Sequence, residues 1–373
     1  MKVARLYAPG DLRVEDLPVP QAGPGDLVIR VRTCSTCGTD AKIFRFGHHH
    51  ISLPRVLGHE VAGEITEVGP EGQDGEGQDG DSQDGDSQNG DSQNGDSQDG
   101  DRWSVGDRVQ IIAAIPDGVC FFCRRGQHTV CEDLESIGYQ YDGGFAEFMR
   151  VPAKVLSVDG VNRVPEHVPF EQASLTEPLA CVLNGQELAE VGEGDVVVIL
   201  GAGPIGCLHV RLARARGATT VVLVDVNQGR LDLAAGAEPD VSIDSTKDDP
   251  IDAVRKMTDG RGADVVITAT GVGQAQEQAL EMAAPRGRIS LFGGLPKDDS
   301  TIRFDSNLVH YGELSVFGAY GSAPRHNREA LSLIAGGKVR VDDLITHRMP
   351  LADVHRAIET VISGEGLKVV IEP

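Results

Sequence analysis

The chain has 373 residues, of which 40% are hydrophobic and 46 are glycine, and its formal net charge is −23. This length allows two domains with separate cores, and the composition fits a globular α/β protein rather than a disordered or fibrous one. The acidic balance argues against a nucleic-acid partner, because phosphate binding requires a basic patch.

An acidic, low-complexity insert at residues 71–101 carries much of this charge. It contains eleven acids and no base, which leaves 46 acidic against 34 basic residues in the rest of the chain. Its period-five repeat has no aliphatic or aromatic residue, so we expect a solvated loop outside any core. A calcium loop is a weaker alternative, because the acids do not follow EF-hand order and no predicted helices flank them.

Short strands are predicted before the insert, where residues 27–35 and 60–69 alternate and are rich in β-branched side chains. From about residue 169 the pattern changes to alternating strands and helices. The apolar run at 195–201 is typical of a strand buried on both faces, and 204–217 has apolar residues at helical spacing. This alternation predicts a doubly wound parallel sheet.

Beyond Gly293 the chain leaves this rhythm and ends with two predicted helices and a strand. The simplest organisation is a first domain in two pieces, residues 1–168 and 309–373, with an α/β domain at 169–308 inserted between them.

A glycine-rich motif follows the strand at 195–201 and opens a helix, a context that makes it a strong indicator of a dinucleotide site. The motif consists of Gly201, Ala202, Gly203, Pro204, Ile205 and Gly206. Its glycines would let the backbone approach a pyrophosphate, whose charge meets the N–H groups of the helix.

An acid ends the next predicted strand, at Asp225. A carboxylate there would accept both ribose hydroxyls and repel a 2′-phosphate, so NAD is favoured over NADP. Because Arg230 lies near Asp225 in sequence, NADP stays open as an alternative cofactor. A glycine turn used only for packing is the structural alternative.

No run of 18 apolar residues occurs, and the first twenty residues have no signal-peptide pattern, so we expect no membrane span and a cytoplasmic location. In a reducing compartment the seven cysteines are better explained as metal ligands, reactive thiols or core residues than as disulfides.

Four motifs give the chain a resemblance to zinc-dependent medium-chain dehydrogenases of the alcohol dehydrogenase superfamily, in particular the sorbitol and threonine dehydrogenase branch. They are Cys37-Gly38-Thr39-Asp40, Gly58-His59-Glu60-Val61-Ala62-Gly63, Val105-Gly106-Asp107-Arg108-Val109 and Thr176-Glu177-Pro178-Leu179. The resemblance covers nearly the whole chain outside the insert. It implies a mostly β, GroES-like catalytic domain, a Rossmann domain, and a homo-oligomer, either a tetramer or a dimer.

The same resemblance implies a catalytic zinc held by Cys37 and His59, with Glu177 as a direct or water-mediated ligand. Glu60 would be a nearby carboxylate that enters or leaves the coordination sphere. Such a set leaves a tetrahedral position open for substrate. A buried thiol and a core histidine are the structural alternatives, and Cys34 is a weaker candidate ligand.

A second cluster departs from the family pattern of four cysteines spaced by two, two and seven residues. Cys120, Cys123 and Cys131 keep the last three positions, and Asp117 occupies the first. A carboxylate is an accepted zinc ligand, so a structural zinc with mixed ligands and a weakened or empty site both stay open. A nucleic-acid-binding zinc ribbon is a distant third.

The implied reaction passes hydride from a secondary alcohol to NAD while Thr39 accepts the hydroxyl proton. Many relatives have a histidine three residues later, where this chain has Lys42. A lysine could relay the proton if burial lowered its pKa, or it could only contact the cofactor phosphate. The run at 48–50, three histidines, either lines the substrate entrance or is an ordinary exposed loop.

A polyol, sugar alcohol or cyclitol is the first choice of substrate, since two neighbouring oxygens would chelate zinc, and L-threonine is second. Two alternatives come from other classes: a zinc-free, quinone-reductase-like enzyme, and a non-catalytic binding protein.

Overall fold

The computed structural model describes residues 1–71 and 103–373. The insert predicted at 71–101 therefore lies outside the described residues except for Glu71, and so does the calcium alternative. The strands of the described part are β1 Lys2–Ala8, β2 Asp11–Asp16, β3 Leu27–Ser35, β4 Arg55–Val56, β5 Glu60–Val68, β6 Arg108–Ile111, β7 Ala114–Ile115, β8 Glu135–Ser136, β9 Phe148–Val151, β10 Val161–Arg163, β11 Val196–Leu200, β12 Thr220–Asp225, β13 Val241–Asp244, β14 Ala263–Thr268, β15 Ala283–Leu291, β16 Ser315–Gly318, β17 Ile345–Pro350 and β18 Lys368–Glu372. The helices are α1 Gly38–Phe46, α2 Ala153–Leu156, α3 Phe170–Ser174, α4 Thr176–Leu188, α5 Pro204–Ala215, α6 Gln228–Ala234, α7 Pro250–Met257, α8 Gly273–Met282, α9 Ser306–Gly312, α10 Pro324–Ala335 and α11 Val354–Ser363.

The mostly β part is built on a sheet in the order β10-β6-β5-β3-β18-β17, with β9 also paired to β3. Strand β3 pairs antiparallel with β5 and with β18. Seven of its nine residues are buried and are apolar or small and polar, which explains its central place in the sheet. These pairings bring the segment before the insert and the last strand of the chain into one sheet.

The second part is a six-stranded sheet in the order β13-β12-β11-β14-β15-β16, in which every pairing is parallel. Its central strands are buried almost completely, because helices cover both faces. The predicted doubly wound parallel sheet, and with it the α/β fold class, is confirmed.

The predicted boundary at 308/309 needs a correction, because β16 belongs to the parallel sheet. Residues Arg288–Leu291 of β15 pair in register with Ser315–Gly318. This short strand has only four residues and no long apolar run, so its sequence did not distinguish it from a connecting loop. The inserted sheet therefore continues through Gly318, and the division into domains otherwise stays a prediction.

Helix α4 joins the two parts of the molecule. It packs against α5 and α10, and its residues Leu179 and Val182 lie in a core cluster that also contains Ala62 and Val370 of the mostly β part. The first turn of α4 is thereby held beside the β5 end of the large sheet. Within residues 1–71 and 103–373, no helix combines the length and apolar character needed to cross a bilayer.

Two glycines of the loop between β11 and α5 make a matched test of the fold. A Cβ built on Gly206 would lie 1.8 Å from the carbonyl oxygen of Gly201, whereas one built on Gly203 meets nothing within 4 Å. We expect Gly206→Ala to lower the free energy of unfolding by about 2 kcal/mol, since the clash is with backbone that cannot turn away. Gly203→Ala should change it by less than about 0.5 kcal/mol. Thermal unfolding of both variants measures the difference, and equal melting temperatures would contradict this account of the loop.

Candidate active site and metal centres

Cys37, His59 and Glu60 bring one ligand atom each within 4.8 Å of one another. Cys37 follows β3 and precedes the first residue of α1, and Glu60 begins β5. The register of the two strands, in which Ser35 faces Glu60, places these segments side by side. Three of the predicted site residues are therefore brought together, in surroundings that exclude most solvent.

The buried Asp40 orients this cluster. One of its oxygens accepts the N–H of Cys37 at 2.9 Å, and the other lies 3.3 Å from Nδ1 of His59. Burial alone would lower the pKa of His59, but the Asp40 carboxylate and then Cys37 raise it well above its ordinary value. With Nδ1 directed at a carboxylate, Nε2 is the histidine atom available to a metal.

Lys368 is a functional residue that the sequence reasoning missed. Its ammonium pairs with both carboxylate oxygens of Glu60 and donates to the carbonyl of Thr36 at 2.9 Å, and it is 2% exposed. Burial alone would lower the pKa of Lys368, but Glu60 raises it. The available signal was a lysine within an otherwise apolar strand, in a chain with only eight lysines.

Glu177 lies on the first turn of α4, near this group but outside the set of closest ligand atoms. It is 8% exposed, and the thiol of Cys181 donates to its Oε1 at 3.5 Å. Burial raises the pKa of Glu60, Lys368 opposes that rise, and Glu177 adds to it. The two carboxylates therefore act on each other, and the role of Glu177 as a ligand stays a prediction.

Thr39 and Lys42, the predicted proton carriers, both lie on α1. Thr39 is half-buried in the first turn, two residues from Cys37. Lys42 is exposed. The burial that a lysine relay would require is thus not met, because solvent can stabilise the ammonium directly. A contact between Lys42 and a cofactor phosphate remains a prediction.

The second cluster assembles as well: Asp117, Cys120, Cys123 and Cys131 offer ligand atoms that lie within 4.8 Å of one another. The sulfurs of Cys120 and Cys131 are 3.9 Å apart. Two thiolates at about 2.3 Å from a tetrahedral zinc stand about 3.8 Å apart. The spacing of the thiols therefore fits a zinc ion.

Asp117 is prepared to act as an anionic ligand. Its Oδ1 accepts the N–H groups of Cys120 at 3.0 Å and Val119 at 2.8 Å, and these bonds hold its pKa well below the usual range. The backbone N–H of Asp117 donates to the sulfur of Cys131 at 3.2 Å. The backbone N–H of Cys123 donates to the sulfur of Cys120 at 3.4 Å. Backbone donors to sulfur stabilise thiolates, so these residues could hold a structural zinc.

The predicted nucleotide loop has an open side. Gly201 has a φ of +118°, Gly203 precedes the first residue of α5, and Pro204 is that first residue. Ile205 is partly buried and packs against the core cluster, and Gly206 lies directly against the carbonyl oxygen of Gly201. Because Gly203 faces open space next to a helix N-terminus, the loop fits a pyrophosphate.

Asp225 ends β12 beside this loop, where its oxygens accept the N–H groups of Ala202 at 2.8 Å and Asn227 at 2.9 Å. Arg230 points elsewhere, because its guanidinium lies so close to Gly364 that a Cβ there would be 2.4 Å away. The carboxylate is thus held beside the glycine loop, while the nearby arginine packs against Gly364; ribose binding by Asp225 stays a prediction.

Comparison with known proteins agrees with this geometry. A zinc-binding dehydrogenase profile matches residues 204–336, and an alcohol dehydrogenase GroES-like profile matches 23–85 and 91–159. The chain is 35% identical to the L-threonine 3-dehydrogenase of Pyrococcus abyssi over 363 residues, which cover 95% of this chain and 93% of that protein. The chain belongs to the zinc-binding dehydrogenase family.

Two further relatives extend the comparison. The sorbitol dehydrogenase of Halalkalibacterium halodurans is 29% identical, with 100% of this chain and 98% of that protein covered. A putative zinc-binding dehydrogenase from Sinorhizobium meliloti, solved with NADP bound, superposes with a TM-score of 0.85 at 29% identity, covering 100% and 99% of the two chains. The protein is therefore an alcohol-type oxidoreductase that uses zinc and a nicotinamide dinucleotide.

The zinc content of purified protein tests the second cluster. We expect two zinc ions per chain in the unaltered enzyme, one in Asp117→Ala, and two again in Asp117→Cys, which supplies a thiolate at the same position. Asp117→Ala should also unfold at a lower temperature, because a structural metal stabilises only the folded state. Glu132→Ala, an exposed acid next to Cys131, is the control. A single zinc in every one of these proteins would show that the second site does not bind the metal.

Proposed function

We propose that this enzyme oxidises a secondary hydroxyl of a polyol, sugar alcohol or cyclitol and transfers the hydride to NAD. The observation that carries the proposal is the group of half-buried Cys37 with buried His59 and Glu60, aligned by Asp40 and Lys368. Thiolate, imidazole and carboxylate are the donors of a catalytic zinc site with an open position.

When bound, zinc polarises an alcohol oxygen, and the nicotinamide accepts a hydride from the carbon that bears it. Cys37 and His59 would hold the metal, and Glu60 or Glu177 would complete its coordination. Thr39 would take the hydroxyl proton as the carbonyl forms and pass it toward solvent. Asp40 would keep the His59 ring in one orientation, and Lys368 would favour the ionised form of Glu60.

Two features support a polyol over a simple alcohol. The resemblance to sorbitol-type enzymes links the Glu177-Pro178-Leu179 segment to polyol oxidation, and Glu177 on the first turn of α4 is near enough to Glu60 to raise the pKa of that carboxyl. A second hydroxyl next to the reacting one offers a second oxygen to the metal. The sorbitol dehydrogenase relative is consistent with this substrate class.

L-Threonine is the second candidate substrate, and the 35% identity to the Pyrococcus abyssi enzyme favours it. The quinone-reductase-like alternative is disfavoured, because a zinc-free enzyme has no use for a half-buried cysteine beside a buried histidine, both hydrogen-bonded or paired to the same acid. Family membership argues against a non-catalytic binding protein.

Location and assembly complete the proposal. All seven cysteines are free, which suits metal ligation in the reducing cytoplasm. A homo-oligomer, either a dimer or a tetramer, is proposed from the resemblance alone.

A substrate panel with metal removal tests the reaction. We expect NAD reduction with sorbitol, xylitol or myo-inositol at a kcat/KM at least about tenfold above that for L-threonine, equal to about 1.4 kcal/mol. Removal of zinc with a chelator should abolish it, and added zinc should restore it. Undiminished turnover after complete zinc removal would refute the metal mechanism, and a preference for L-threonine would select the second candidate.

Cofactor choice is tested at Asp225. The unaltered enzyme should prefer NAD, and Asp225→Asn should lower its NAD-to-NADP ratio of kcat/KM about tenfold, because the amide can still accept a hydrogen bond but no longer repels a 2′-phosphate. Arg230→Gln should leave the ratio within about twofold, since that side chain lies against Gly364. A ratio that responds to Arg230 and not to Asp225 would contradict the assignment.

A further inference from the structure

The loop between β8 and β9 brings Tyr139 to the metal cluster. Its neighbour Gly138 lies against Gly58, since a Cβ built on Gly138 would be 3.5 Å from the Gly58 carbonyl oxygen. The N–H of Gly144 donates to the same oxygen at 2.8 Å. Because Gly58 directly precedes His59, the loop is anchored one residue away from a metal ligand.

The phenol of Tyr139 is a neutral group on this loop. The ring is half-buried, and burial raises the pKa of Tyr139 well above its usual range. The charges of His59, Asp40 and Cys37 also act on this phenol. A neutral phenol both donates and accepts a hydrogen bond.

His48 packs against this tyrosine from the loop after α1. Its ring meets the Tyr139 ring edge-on, with centroids 5.1 Å apart and an interplanar angle of 83°. The N–H of His50 donates to Nδ1 of His48 at 3.3 Å. An accepting Nδ1 leaves the hydrogen of a neutral imidazole on Nε2.

The neighbouring histidines favour the neutral form of His48. Its ring stacks on His49 with centroids 4.6 Å apart and lies 5.5 Å from His50. Burial lowers the pKa of His48, and the adjacent His49 and His50 lower it further. His48 thus presents an N–H donor without a positive charge near neutral pH.

We propose that Tyr139 and His48 form a hydrogen-bonding wall of the substrate cleft that binds a hydroxyl of the substrate other than the one oxidised. This inference rests on the proposed function, because it requires a substrate with at least two hydroxyls. A hydroxyl both donates and accepts, which matches the phenol and the Nε2–H group. An ammonium or carboxylate, as in threonine, would need an opposite charge that this wall does not supply.

Steady-state kinetics with NAD separate recognition of the second hydroxyl from the chemical step. The substrates are sorbitol, xylitol, myo-inositol and 2-butanol, the last with a single secondary hydroxyl. Tyr139→Phe and His48→Phe keep each ring and remove its polar group. Each should raise KM for the polyols about tenfold and change kcat less than about threefold, because the loss is mainly of uniform binding. KM for 2-butanol should change less than about twofold.

Two further variants distinguish recognition from packing. His48→Gln keeps an N–H donor and should lose less polyol affinity than His48→Phe. His48 and His49 are both exposed, but His49 stacks on His48 whereas His48 meets the Tyr139 ring, so His49→Phe should leave both kinds of substrate unaffected. Thermal unfolding of each variant checks that the fold is intact.

The outcomes are distinct for the two proposals. Equal changes in KM for polyols and 2-butanol, or a His49→Phe effect as large as that of His48→Phe, would overturn the Tyr139–His48 wall while polyol oxidation itself stands. If the unaltered enzyme oxidises none of the polyols, the proposed substrate class fails, and this inference fails with it.

Discussion

The buried ion pair between Glu60 and Lys368 is the interaction on which the rest of the site depends. It joins β5 to the start of β18, and Lys368 also holds the carbonyl of Thr36, one residue before Cys37. Removing one partner of a buried pair costs about 3–5 kcal/mol, because the other charge is left without compensation. The pair therefore joins two distant parts of the chain at the cluster of Cys37, His59 and Glu60.

Much of the architecture was predictable because its signals are local. The central parallel strands are continuous apolar runs, and the glycine motif follows one of them directly. The short strand β16 was not predictable, since four residues carry little periodicity and its pairing with β15 depends on distant sequence. Residues that come together from distant parts of the sequence can be recognised beforehand only through motifs. Cys37 and His59 were recognised in this way.

Lys368 and Lys42 both show that sequence alone does not predict the role of a lysine. A lysine in a strand ordinarily marks a solvent-facing position, yet Lys368 points inward because Glu60 compensates its charge. Lys42 stands where the family motif suggested a proton carrier, yet it lies on the exposed side of α1. In both cases the surroundings of the side chain in the fold, and not the residue type, decide the role.

The ion pair also has a consequence for the order in which the molecule is made. Lys368 is separated from Glu60 by 308 residues, and both metal clusters and the whole parallel sheet are synthesised before it. The ion pair, and with it the completed arrangement around Cys37 and His59, can form only after β18 has been synthesised. The last contact in the assembly of this cluster therefore depends on the strand that is made after all the other described elements.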